Sequence, residues 1–209
     1  MLSYGDVNFH PERQEPALDK RSRKTQEAIV RAYEELTREK GSIREGSVQD
    51  IAKRAGISRS TFYSHFRDLT ELSRKMEEEF ADHLADIIRT QLQAGGYSMN
   101  DEILENLFLA VIHYILSQDI FAREILLNDI TDIVADTLAE KISNQLSLCC
   151  TPEHAEKNQP ALKNISMFLT CGTAGIMKRW FSAKHPVSPE DLALSLAEMA
   201  APVLYTYIK

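Results

Sequence analysis

Apolar residues in this chain recur at three- and four-residue intervals, and no stretch alternates as a strand would. The pattern predicts about nine helices. The first runs from about Ser22 to Lys40, with Ile29, Ala32, Tyr33 and Leu36 on its inner stripe. Two short helices follow between Ser47 and Phe66. A long fourth helix spans about Leu69 to Leu92, where Leu72, Met76, Phe80, Leu84, Ile87 and Ile88 recur at helical spacing, and Gly95-Gly96 ends it. The fifth, from Asp101 to Ser117, is apolar over an arc wide enough for burial on more than one side. A short sixth is expected over Asp119 to Leu127 and a seventh over Asp129 to Leu146. Cys149 to Pro160 reads as a loop before an eighth helix over about Ala161 to Ala183. Ser188 followed by Pro189 is a strong start signal for a ninth, which continues to about Tyr207. Residues 1–19 mix Gly5, Pro11 and Pro16 with charges and show no period, so they read as a flexible arm.

The stretch SVQDIAKRAGISRSTFYSHF, Ser47 to Phe66, carries the most local detail. Ser47 suits the cap of a helix, and Asp50 suits its positive end. Val48, Ile51, Ala52 and Ala55 give that helix one apolar side. Gly56 stands where a helix end needs a left-handed residue. Ser58 is the natural cap of the next helix, and Phe62 and Phe66 fix its buried side. Arg59, Ser60, Thr61, Tyr63, Ser64 and His65 are left for the outward arc and first turn. A helix that presses into a major groove needs small polar residues for close approach and longer ones at its flanks for phosphates.

The run Val48-x-x-Ile51-Ala52-x-x-Ala55-Gly56-Ile57-Ser58, continued by Ser60-Thr61-Phe62-Tyr63-x-His65-Phe66, resembles the DNA-binding domain of the TetR family of transcriptional regulators. Ala28-Ile29 to Leu36 fits the family's first helix. The motif covers roughly the first third of the chain and is more specific than a bare helix-turn-helix pattern. The resemblance implies an all-α protein: a helix-turn-helix domain of three helices over 20–67, joined by the long fourth helix to a ligand-binding and dimerisation domain over 68–209. It implies a repressor released from a palindromic double-stranded DNA operator by a small-molecule effector. On this reading Arg59 and Ser60 meet base edges, while Lys24, Ser47, Ser58, Thr61, Tyr63 and His65 serve phosphate contacts and register. One departure stands out: the family often has a lysine just after the position of Asp68, and here that residue is Leu69.

Charge supports a nucleic-acid partner once its distribution is considered. The chain carries −7 overall, yet Lys20 to Arg67 holds twelve Lys or Arg against six Asp or Glu. That segment is therefore +6 and the rest −13, the asymmetry expected when one end meets phosphate. Apolar content of 44% and charged content of 26% suit a globular protein, and no apolar run is long enough to span a bilayer. The start, MLSYGDVNFHPER, lacks the plan of a secretory signal, and three cysteines without CxxC pairing suit a reducing cytoplasm.

In the resembled family the last two long helices of each subunit pair into a four-helix dimer interface. The run Gly172-x-x-Gly175-Ile176-x-x-x-Trp180 is similar to that region of many members. It implies a homodimer held through Phe168, Gly172, Gly175, Ile176, Leu196, Met199 and Val203. Each mid-helix glycine costs about 1 kcal/mol relative to alanine, which is tolerated where a second backbone or a ligand comes close. Twofold pairing would also double the contact area on a palindrome.

Polar residues within apolar helical faces are candidate effector contacts: His113, Tyr114, Asn128, Cys171 and Trp180. Each also suits a satisfied core polar group. Aromatic and sulfur lining fits an apolar or amphipathic molecule. No carboxylate or histidine cluster is dense enough for a metal, and no cofactor is implied. Cys149 and Cys150 would serve as a redox switch only if exposed with a lowered pKa. An enzyme is not expected, since the chain has neither a P-loop nor a Glu-x-x-His pair of the di-iron kind. A protein-interaction module retaining the helix-turn-helix shape is the other alternative, and binding to an inverted-repeat duplex separates it from a regulator.

Overall fold

The structure is a computed structural model that describes residues 20–40, 46–117, 132–184 and 186–208. Among these residues there are eight helices and no strand. They are α1 (Lys20–Lys40), α2 (Val48–Arg54), α3 (Arg59–His65), α4 (Leu69–Ala94), α5 (Asp101–Ser117), α6 (Asp132–Leu148), α7 (Pro152–Ser182) and α8 (Pro189–Tyr207). The N-terminal arm, the short helix expected over Asp119–Leu127, residues 129–131 and Asn128 lie outside the described residues. The chain divides into two compact units between Ser73 and Arg74.

The first unit, the head, is built around fully buried Ile29, Ile51, Phe62 and Leu72, with Phe66 2% exposed. Its short helices begin and end on local signals. Ser47 Oγ accepts from the Asp50 amide, and the Asp50 carboxylate accepts from the Ser47 amide in return, closing a reciprocal cap. Gly56 follows α2 with φ 67°, the left-handed conformation that a side chain would strain. Ser58 Oγ accepts from the Thr61 amide at 3.0 Å and starts α3. At α4 the Asp68 carboxylate accepts from the Glu71 amide. Glu71 reaches back to the Arg67 amide, one residue before the partner of a standard capping box.

The second unit, the body, contains the rest of α4 and α5 to α8. One apolar cluster runs through it, from Phe80 and Leu84 through Ile112 and Leu162 to Leu204. α6 packs along α7, and α5 along α8.

The loop expected over Cys149 to Pro160 shrinks to residues 149–151. α7 starts at Pro152, with Thr151 as its cap, and runs through Pro160. Thr151-Pro152 is the same cap-and-proline start that Ser188-Pro189 makes for α8. Pro160 removes one amide donor from an exposed turn. The helix continues because Leu162, Ile165 and Ser166 beyond it are buried.

Candidate nucleic-acid interface and effector cavity

α3 divides its residues by face. Phe62 is completely buried, and its ring meets Phe66 at 5.9 Å and the edge of Tyr63 at 5.7 Å. Arg59, Ser60, Tyr63 and Ser64 are exposed, while Thr61 and His65 are half-buried. Tyr63 is 48% exposed, unusual for so large a side chain with a packing partner beside it. The hydroxyls of Ser47, Ser58 and Thr61 are engaged at helix starts: Ser58 and Thr61 share a hydrogen bond of 2.9 Å, and Ser47 donates to Asp50 at 2.8 Å. Of the sequence-predicted DNA contacts, Lys24, Arg59, Ser60 and Tyr63 stand fully outward.

Ion pairs tie α2 to α1 and lower the charge available to a partner. Arg54 donates to Glu39 in a two-pronged bond and lies 3.8 Å from Glu35. Lys40 pairs with Asp50 at 3.4 Å. The Arg54 hydrogen bond holds the Glu39 carboxyl below its usual range, and the Ser47 hydroxyl does the same for Asp50. At least four of the head's twelve cations, Arg23, Lys40, Arg54 and Arg67, are therefore paired with carboxylates of the protein itself.

The body encloses a cavity of about 100 Å³ walled by α4, α5, α6, α7 and α8. Phe80, Leu107, Val111, Leu138, Met177 and their neighbours make it almost wholly apolar, with Thr170 and Thr173 the hydroxyl-bearing residues of the wall among the described residues. None of the described effector candidates lines it. His113 is exposed. Tyr114 stacks on Phe80 at 6.0 Å, behind the wall, and burial drives its phenol well above the usual range. Cys171 is exposed, 3.6 Å from the Met167 sulfur. Trp180 is buried, but its indole N–H donates to the Val187 carbonyl at 2.9 Å and so fixes the approach to α8. The lining was missed because it consists of ordinary core residues, distinguishable only once five helices are assembled.

Residues 29–75 match the family model described as bacterial regulatory proteins, tetR family. That match lies over the head helices and the start of α4. An uncharacterized HTH-type transcriptional regulator of Haemophilus influenzae is 36% identical over 77 residues, which are 35% of this chain and 37% of that protein. The match thus spans little more than a third of the relative's length. Two solved structures share the fold. One is the TetR family repressor AlkX from Dietzia, implicated in biodegradation of n-alkanes, with TM-score 0.60 and 19% identity over 89% of this chain and 98% of that one. The other is FadR of Thermus thermophilus, a TetR family transcriptional repressor in complex with lauroyl-CoA, with TM-score 0.57 and 22% identity over 88% and 95%.

The body also exposes apolar side chains on the outer sides of α7 and α8. Phe168 on α7 is 63% exposed and Met199 on α8 is 53% exposed. Gly172 and Gly175 lie on the same exposed arc of α7, and a side-chain carbon added at either would meet nothing within 4 Å. Leu196 does not lie on these outer sides. It is 3% exposed and packed in the chain's own core, while Leu194, two residues earlier, is exposed. Ile176 and Val203 are half-buried against that core. Leu196 stands three residues before Met199, but α8 is apolar on two sides and Leu196 falls on the inner one.

The cysteines do not meet the condition for a redox switch. Cys149 and Cys150 are half-buried at the end of α6, and burial pushes the Cys149 thiol up to about 11, with Cys150 adding to the shift. Among the described residues no group of His, Cys, Asp or Glu could hold a metal ion, and no helix is long and apolar enough to cross a membrane.

Proposed function

We propose that this chain is a ligand-responsive DNA-binding transcription regulator: a cytoplasmic homodimer that represses from a palindromic operator and leaves it when a small molecule occupies the body cavity. The head over 20–67 meets DNA, and the remainder over 68–209 binds the effector and the second copy. The protein acts by binding and not by catalysis. The observation that carries this reading is α3, a helix whose inner side is locked by Phe62 and whose outer side is polar and charged. Arg59 and Ser60 read base edges, and Lys24, Tyr63 and His65 hold phosphates. Ser47, Ser58 and Thr61 serve the register through the caps they form.

The dimer pairs through the outer face of α7 and α8. Gly172 and Gly175 support this, since nothing among the described residues requires glycine there and a second backbone would. An effector favouring a state whose two heads are misplaced for successive major grooves lowers operator affinity by its differential affinity for that state. Selection from a random duplex pool tests the reading. It should enrich an inverted repeat with half-sites about 10 bp apart, or a multiple of that. Recovery of random sequence would point instead to an interaction module.

A further inference from the structure

The unpartnered hydroxyl in the cavity wall indicates the chemistry of the effector. Resting on the regulator reading, we propose that the effector is a small uncharged molecule with an apolar body and one hydrogen-bonding group, which pairs with the Thr170 hydroxyl. Thr170 is 5% exposed and lines the cavity, and among the described residues its Oγ1 has no hydrogen-bond partner. Two other helical hydroxyls of the body are paired. One turn earlier Ser166 Oγ donates to the Leu162 carbonyl at 2.8 Å, and Thr90 donates to the Asp86 carbonyl at 2.8 Å. A buried hydroxyl without a partner is unfavourable, so a ligand that supplies one gains more than its contact area alone would provide.

The rest of the wall sets the other two properties. No described residue lining it is charged, so a carboxylate or phosphate drawn inside would be desolvated with none of them to pair it. The size is limited as well. An apolar cavity of about 150 Å³ accepts benzene, and this one is about 100 Å³. Met99 and Met177 in the wall have flexible thioether side chains that can yield to a molecule of that order.

Calorimetric titration of the full chain, without DNA, tests the proposal with 1-hexanol, n-hexane and hexanoate at neutral pH. Hexanol and hexane should bind, and hexanoate should bind at least roughly a hundredfold more weakly than hexanol. Thr170→Val should weaken hexanol roughly three- to tenfold while leaving hexane unchanged or tighter. Thr170→Ser, which keeps the hydroxyl, should retain hexanol binding. Equal loss for hexanol and hexane, no loss for either, tight hexanoate binding, or no binding of any probe would each overturn it. Release of operator DNA is measured separately. If hexanol binds through Thr170 and DNA stays bound, the release reading fails, while the ligand chemistry assigned to the cavity stands.

Discussion

The head and the body hold their hydroxyl groups in opposite states. In the head, Ser47, Ser58 and Thr61 are hydrogen-bonded within three residues of themselves, and what faces outward is Arg59, Ser60 and Tyr63. In the body, Thr170 is buried in an apolar wall assembled from five helices and has no partner among the described residues. A surface that reads DNA must be preformed, so its polar groups are fixed locally before the partner arrives. A cavity that senses a ligand gains from an unmet polar demand, because only the ligand can satisfy it.

The largest effect expected is from Phe62→Ala. Deleting this buried ring should destabilise the head by about 3–5 kcal/mol. If the two units are energetically separate, far-UV circular dichroism should show an earlier loss of helix while the fluorescence of Trp180, the single tryptophan, keeps its transition. A shift of both together would break the comparison. Next, Gly175→Leu should leave the subunit folded, since the added side chain meets open space, but abolish the dimer in sedimentation. Operator affinity should fall roughly a hundredfold with the lost second head.

Arg59→Ala should cost about 1–3 kcal/mol and blur base preference, whereas Tyr63→Phe should weaken binding evenly on all duplexes. Competition between operator and scrambled duplexes distinguishes the two. Leu69→Lys works in the other direction. It restores the cation that the family often carries at the start of this helix, and it should steepen the salt dependence by about one phosphate contact.

The smallest effect concerns pH. Glu39 and Asp50 have folded-state values below their ordinary 4.5 and 3.8, held there first by the Arg54 and Ser47 hydrogen bonds respectively. A depressed carboxylate stabilises fully above its unfolded value and loses that contribution as pH falls through the folded value. Head stability should therefore decline as pH drops below about 4.5, and Glu39→Gln should flatten part of that decline in acid titrations.

The same contrast explains what the sequence could disclose. Ser47, Gly56, Ser58 and Phe62 act within one turn of themselves, so the helix-turn-helix was legible from spacing alone. The loop expected up to Pro160 is mostly helix, because the burial of Leu162 and Ile165, which carries α7 past Pro160, depends on neighbouring helices. Leu196 and Leu194 are indistinguishable by type and are separated only by which side of α8 meets the core. Thr170 gave no signal, since its neighbours in the wall come from positions as distant as Phe80 and Leu204.

The most direct measurement is the affinity ratio between a selected palindrome and a shuffled duplex of equal length, followed against salt. The account predicts a ratio of about 10³ or more at physiological salt, with log affinity falling steeply against log salt. Equal affinity for the two duplexes, however steep the salt dependence, would contradict it.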